Sequence, residues 1–265
     1  MGTRIGLIVV GDEILSGRRQ DKHVPVLIEK LTARGLKLAW CRMLGDDRPL
    51  LVDELKRTFA SGDTVFSCGG IGGTPDDHTR QAAAEALGLP LHIHPQARGF
   101  IEERAKETGR EVTDIILRMA EFPEGSDIIP NPYNRIAGFS IRNHYFVPGF
   151  PVMAHPMFDW VLDEKLKHLH FTQLEKALSM HVFGGYEALL TPDMEAVEAQ
   201  FPGVTVFSLP HVGDDKLPRH IELGAKSTGP DAAPRVEAAF AELQKRVLAH
   251  GLRYEVVAQP GPAQA

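Results

Sequence analysis

Residues 63–80 read Asp63-Thr64-Val65-Phe66-Ser67-Cys68-Gly69-Gly70-Ile71-Gly72-Gly73-Thr74-Pro75-Asp76-Asp77-His78-Thr79-Arg80. A short apolar run with β-branched Thr64 and Val65 is a buried strand. Four glycines follow within five positions, then Thr74-Pro75-Asp76-Asp77, and then a helical pattern that continues through 81–87. The order is strand, glycine turn, helix start. Glycines there allow positive φ and let a ligand approach the main chain. The free N–H groups and positive dipole end of a new helix favour a phosphate. Asp76 and Asp77 beside that spot repel a phosphate unless a metal or a proton lies between. The stretch therefore points to a metal-assisted phosphate or pyrophosphate site, cradled by Gly69, Gly70, Ile71, Gly72, Gly73 and Thr74. A second reading stands beside it. Thr74 suits an N-cap, Pro75 the first helical position and Asp77 the acid of a capping box. Caps need no ligand, but a cap alone does not call for four glycines.

Working outward, the first half alternates strand and helix. Ile5–Val10 is strand-like, residues 24–34 carry apolar positions at helical spacing, and Gly35 closes that helix. Residues 36–44 read as a second strand, 48–60 as a helix, 63–68 as the third strand and 79–87 as the next helix. Such βαβαβα order predicts a mostly parallel sheet with helices on both faces, a three-layer α/β domain. Ligands sit at the carboxyl ends of strands in such sheets. Two turns fall there: Gly11-Asp12-Glu13 and the glycine turn.

Residues 95–121 are expected to form two helices broken near Gly109. A loop-rich region over 123–138 precedes a hairpin at 139–147, the rigid turn Pro148-Gly149-Phe150-Pro151 and a helix at 153–166. Near residue 170 the rhythm changes to strand 174–183, helix 191–200 (Thr191 as cap, Pro192 at its first position), strands 204–208 and 220–225, and a long amphipathic helix over 232–249. This predicts a first domain over 1–168, a smaller α+β domain over 169–256 and a disordered Pro/Gly/Ala/Gln tail over 257–265.

The chain has 265 residues, 43% apolar and 24% charged, with net charge −6. That balance is a globular protein's and argues against nucleic-acid binding, which wants a basic face. No run of eighteen apolar residues is present, so no membrane partner is expected. The apolar run at the N-terminus is too short for a signal peptide and reads as a first strand. Cys41 and Cys68 are the only cysteines and lack metal spacing, which fits a reducing, cytoplasmic setting.

Three segments carry a resemblance: Gly11-Asp12-Glu13-Ile14-Leu15-Ser16-Gly17, Gly69-Gly70-Ile71-Gly72-Gly73-Thr74-Pro75-Asp76-Asp77, and Val147-Pro148-Gly149-Phe150-Pro151. Over residues 4–166 the chain resembles the MoaB/Mog molybdopterin-binding domain family. Within it the chain is most similar to the N-terminal part of competence/damage-inducible protein A (CinA-like) proteins and the related domain of eukaryotic FAD synthases. Phe201-Pro202-Gly203-Val204 and Ser208-Leu209-Pro210 extend the likeness into the small domain that follows.

The resemblance implies a small phosphate-bearing ligand, either molybdopterin or a nucleotide with a pyrophosphate. One branch transfers an adenylyl group to molybdopterin with magnesium, and the other is associated with metal-dependent cleavage of ADP-ribose-like pyrophosphates. By matching position, Asp77 takes the family's functional aspartate, with Asp76 before it, and these two are the implied catalytic residues. Asp12 and Glu13 match the Gly-Asp-Glu motif, and Asp46 falls in the acidic pair after the second strand. Asp12, Asp46 and Asp77 are the implied ligands for a divalent magnesium, manganese or cobalt ion. Gly11, Asn131, Pro148 and Gly149 join the glycine turn on the ligand side. Arg80 either reaches a phosphate or makes a helix-surface ion pair. The chain departs from the family pattern at His23, at Gly73 and at Asn131-Pro132-Tyr133-Asn134. Relatives form dimers or trimers, so a homo-oligomer is expected by analogy. Longer relatives continue into a deamidase domain acting on nicotinamide mononucleotide, and no deamidase activity is expected of these residues. Non-catalytic binding remains the alternative to hydrolysis.

Overall fold

β1 (Ile5–Val10) is buried along its whole length, because side chains on both of its faces meet helices. Ile5, Leu7 and Val9 point into one apolar cluster, Ile8 and Val10 into the other. This period-two split of a continuous apolar run is the mark of a central strand in a three-layer domain. The computed structural model describes residues 4–172, 175–213 and 217–257. Contacts divide the chain into two units that part after Thr172. The tail expected over 257–265 lies, from residue 258 on, outside the described residues.

The first unit runs β1, α1 (Asp12–Leu15), α2 (His23–Thr32), β2 (Leu38–Leu44), α3 (Arg48–Ser61), β3 (Thr64–Cys68), α4 (Thr79–Leu87), β4 (Leu91–Ile93), α5 (Pro95–Thr108), α6 (Asp114–Leu117), β5 (Glu121–Pro123), β6 (Asp127–Ile129), β7 (Gly138–Ile141), β8 (His144–Val147) and α7 (Pro151–Trp160). Its sheet has the order β2-β1-β3-β8-β7-β6. β2, β1, β3 and β8 are mutually parallel, and β7 is antiparallel to both β8 and β6. The expected mostly parallel three-layer fold is what forms. Leu51, Leu55, Ala83 and Ile101 of α3, α4 and α5 close one face. Leu27, Leu31, Met157 and Phe158 of α2 and α7 close the other. Gly6 is required where it stands, since a Cβ there would lie 2.1 Å from the Trp40 ring of β2.

Several expectations need correction. The region 123–138 is not all loop: residues 127–129 pair with β7, and 121–123 pair with β4 in a separate two-stranded ribbon. Helix does not reach 121, because α5 stops at the left-handed Gly109 and α6 gives way to a tighter turn ending at Ala120. α7 continues past Trp160 as one wide turn over Val161–Lys165.

The second unit is an antiparallel sheet of order β10-β11-β9-β12, built from β9 (Glu175–Phe183), α8 (Glu187–Gln200), β10 (Thr205–His211), β11 (His220–Thr228), α9 (Ala232–Ala249) and β12 (Arg253–Val256). Met180, Val182, Leu223 and Ala225 of the sheet pack on Leu190, Val197, Val236 and Leu243 of the two helices. This is the smaller α+β unit expected. α8, however, starts at Glu187 rather than Thr191, and Pro192 lies inside it. The Thr191 hydroxyl donates back to the Glu187 carbonyl at 2.9 Å instead of capping. No helix among the described residues is long and apolar enough to cross a membrane.

Candidate functional site

The carboxyl ends of β2, β1, β3 and β8 lie along one edge of the sheet. β2 and β3 flank β1 on opposite sides, so the winding direction reverses between β1 and β3. A crevice opens at such a switch point. The turns after β1 and β3, both singled out from sequence, meet there.

The ends of β1 and β2 are clasped. The Gly11 amide donates to Leu44 O at 3.0 Å. The Asp12 amide donates to Asp46 Oδ2 at 2.9 Å, and the Asp46 amide returns the bond to Asp12 Oδ1 at 3.2 Å. Burial pushes the Asp46 carboxyl above its ordinary range, and the negative charges of Asp12, Glu13 and Asp76 push it the same way, against the Asp12 amide. Four acids therefore share one small region. Asp12 and Asp46 each keep one carboxylate oxygen outside the clasp. An oxygen-only donor set suits a hard cation that completes its shell with water and phosphate oxygens. Among the described residues, no three His, Cys, Asp or Glu side chains already surround an ion position, so Asp12 and Asp46 fit as a partial set.

The glycine turn has an internal reason and an external consequence. Gly69 and Gly70 take φ of +104° and +67°. A Cβ would fall 2.2 Å from Val10 O at Gly69, 2.2 Å from Thr79 Oγ1 at Gly70, and 2.5 Å from Asp77 Oδ2 at Gly72. At these three positions the glycines admit the chain's own atoms, and the positive φ expected of the turn is taken by Gly69 and Gly70. Thr79 fixes the turn, donating its hydroxyl to Gly69 O at 3.0 Å and its amide to Gly70 O at 2.9 Å. Among the described residues nothing accepts from the amides of Gly70, Ile71, Gly72 and Gly73. Successive unpartnered donors in a turn are what an anion-binding nest is built from.

α4 begins at Thr79 with His78 in the capping position, so Thr74 does not cap it. Thr74 and Asp77 form an isolated turn. The Asp77 carboxylate accepts the Thr74 amide at 2.8 Å and also its hydroxyl, and the Asp77 amide donates to Thr74 O at 3.1 Å. The Asp77 carboxylate is therefore engaged within its own turn. Asp76 is exposed, and hydrogen bonding within the turn, from Thr74 first, holds its carboxyl below the ordinary range.

Arg80 serves neither expected role. It is 2% exposed, and its guanidinium donates to the carbonyls of Arg118, Glu121 and Gly72, the last at 2.5 Å. Asn131 is buried as well. Its amide donates to Asn134 Oδ1 and Ile136 O, and its oxygen accepts the Tyr133 amide at 3.0 Å, so it shapes its loop. Pro148 and Gly149 end β8 against the glycine turn, with a Cβ at Gly149 placed 3.3 Å from Gly69 Cα. His23, one of the departures, donates Nε2–H to Gly149 O at 3.1 Å and is buried against His155 and Phe158. Burial lowers its pKa and keeps it neutral. The Asp21 carboxylate accepts the first amides of α2, from His23 at 3.0 Å and Val24 at 2.9 Å.

Residues 6–168 match the model of a family described as a probable molybdopterin binding domain. The chain belongs to that family. It is 33% identical over 167 residues to a CinA-like protein of Anaeromyxobacter sp. (strain Fw109-5), covering 61% of this chain and 41% of that protein. It is 29% identical over 251 residues to a CinA-like protein of Citrifermentans bemidjiense, covering 93% and 59%. The chain thus spans about two-fifths to three-fifths of the length of these relatives. A crystal structure of the protein CinA from Thermoplasma acidophilum, reported with unknown function, aligns at TM-score 0.55 and 25% identity over 61% of this chain and 98% of that one.

Thr79, Arg80 and His23 are the positions whose roles sequence reasoning missed. His23 carried a signal as a departure from the family pattern and Arg80 was singled out for other roles, whereas Thr79 carried none. Asp47, beside Asp46, caps α3 through Leu50 N at 2.9 Å. Asp47→Ala is expected to lower stability by about 1 kcal/mol in urea melts while leaving ligand-induced stabilisation unchanged.

Proposed function

We propose that the first unit binds the phosphate or pyrophosphate of a pterin or nucleotide at the β1–β3 switch point and cleaves an ADP-ribose-like pyrophosphate there with a divalent metal. The observation that carries this reading is the run of unpartnered amides over 70–73, set beside the Asp12–Asp46 clasp. The amides bind phosphoryl oxygens and orient them. Asp12 and Asp46 would hold the cation, which supplies charge neutralisation at those oxygens. Asp76, an anion at neutral pH, accepts a hydrogen bond from the attacking water and orients it. Asp77 keeps the Thr74 turn, and so the last of the free amides, in place.

With magnesium, manganese or cobalt present, ADP-ribose at 100 times its Kd is expected to stabilise the chain by about 2.7 kcal/mol. Product release should fall about 100-fold in Asp46→Asn, in line with loss of one electrostatic contact at the reacting phosphate. Intact ADP-ribose and FAD after incubation with all three metals would leave binding without hydrolysis. Absence of any thermal shift with nucleotides, pterins or pyrophosphate overturns the whole reading. The family's molybdopterin-binding description favours a second reading, molybdopterin binding or adenylyl transfer to it. Co-purification of a fluorescent pterin supports that one.

A further inference from the structure

A cavity of about 390 Å³ opens beside the carboxyl end of β6, between Phe100 of α5 and Trp160 of α7. Pro130, Pro132 and Pro156 form much of its wall. Volumes of this size, apolar with a few polar groups, are those of small-molecule pockets. β6 is parallel to β8 and β3, so the Pro130-Asn131-Pro132 wall stands on the same sheet edge as the free amides. In the order β3-β8-β7-β6 it stands three strands away, about 14 Å at ordinary strand spacing.

The polar part of the cavity is held in an unusual way. Arg135 lines it with φ of +62°, a left-handed conformation that a side chain as large as arginine rarely takes. Its amide donates to Asn131 O at 3.0 Å, and its guanidinium pairs with Glu103 at 3.2 Å and Glu107 at 2.9 Å. Such conformations persist where surroundings over-determine them, and ligand clamps are one such place. Glu103 also lines the cavity. A carboxylate and a guanidinium beside two aromatic rings offer an acceptor, donors and stacking surfaces together. A planar heteroaromatic ring with polar edges uses all three, whereas an aliphatic chain uses none of the polar groups.

We propose that this cavity is the ring subsite of the ligand bound at the glycine turn: it takes the planar heterocycle of a nucleotide or pterin, stacked on Phe100 and Trp160, with Arg135 and Glu103 at the ring edge. The proposal rests on the phosphate reading above and adds where the other end of the ligand lies. It requires a ligand long enough to run along the edge from β3 to β6, which an extended nucleotide is and inorganic pyrophosphate is not.

The chain has two tryptophans, Trp40 and Trp160, so emission from the full chain reports on this cavity when compared with Trp160→Phe. ADP-ribose and FAD are titrated against the ring-free probes inorganic pyrophosphate and ribose 5-phosphate, with thermal shift read in parallel. The expected result is quenching by the ring-bearing ligands in wild type that is absent in Trp160→Phe. Phe100→Leu, which keeps an apolar side chain in place, should raise their Kd about tenfold or more, in line with loss of one stacking partner. The same variant should leave the Kd of pyrophosphate within about twofold of wild type. If ring-bearing and ring-free probes both raise the melting temperature, but Trp160 emission and the Phe100→Leu affinities do not distinguish them, the ring subsite is wrong and the phosphate site stands. If no phosphate-bearing probe raises the melting temperature, the phosphate reading falls and this proposal falls with it.

Discussion

Arg80→Met is expected to lower the unfolding free energy by about 3 kcal/mol, three charge-assisted hydrogen bonds lost against the burial cost of the cation recovered. The guanidinium ties three carbonyls from two distant segments, Gly72 and the pair Arg118 and Glu121, from within a helix position that is 2% exposed. A hydrogen bond from a charged donor contributes about 1.5–3 kcal/mol. Against that stands the cost of burying a cation, visible in the pKa of Arg80, which burial lowers, and in its Nε, which has no partner. Methionine matches the stem but leaves the three carbonyls without their donor. Arg80→Lys keeps the charge, yet one ammonium lacks the planar fork that reaches both segments, so it should recover less than half of the loss. Urea unfolding of the three proteins measures this. A loss below about 1 kcal/mol for Arg80→Met would show that the guanidinium bonds are not formed in solution. Because Gly72 belongs to the free-amide run, the same variant should also lose most of the pyrophosphate-induced stabilisation.

Arg80 also shows where reading residues in order stops. β1, β2 and β3 were legible because each is a mainly apolar stretch followed by glycine, and their parallel pairing follows from the helices between them. The edge residues Gly11, Asp12, Asp46 and Gly69 were legible because they fall just past strand ends, and strand ends are where such sheets bind. The partners of Arg80 at 118 and 121 are set by the packing of α4 against the short β4–β5 ribbon, and three-residue strands leave almost no periodic signal. The glycines were correctly placed in a turn, but the atoms that exclude a Cβ belong to Val10 and Thr79, one of them on another strand. Asp77 was matched to a functional position by motif, and only the folded turn brings its carboxylate onto Thr74. Pro192 read as a helix start because proline favours that place. Contacts of Leu190 with the second core outweigh the one hydrogen bond that proline removes.

His144 supplies the other large expected effect, through pH. It stands on β8 facing α3, 2% exposed, with Nε2 2.9 Å from Thr58 Oγ1, Nδ1 without a partner, and the Phe59 ring 4.0 Å from its own. Burial lowers its pKa to about 3, with Asp63 opposing weakly. An unfolded imidazole takes a proton near pH 6.5. Between those values the unfolded chain binds the proton and the folded chain does not. Stability therefore falls as the pH drops below 6.5, by about 1.4 kcal/mol per pH unit, and the term vanishes above 6.5. His23 and His155, whose pKa values burial also lowers, tilt the curve in the same sense. His144→Phe removes this titration while keeping a ring between Phe59 and Phe146, and the Thr58 hydroxyl retains its bond to Leu55 O at 3.2 Å. At pH 8 the variant is expected within about 1 kcal/mol of wild type, the usual cost of a near-isosteric core exchange. At pH 4.5 it should have gained about 2.7 kcal/mol relative to wild type. Urea midpoints of both proteins from pH 4.5 to 8 decide the matter, since the carboxylates titrate alike in each and cancel in the difference. Parallel stability curves would mean that His144 is protonated in the folded chain, and that the β8–α3 contact opens to admit the charge.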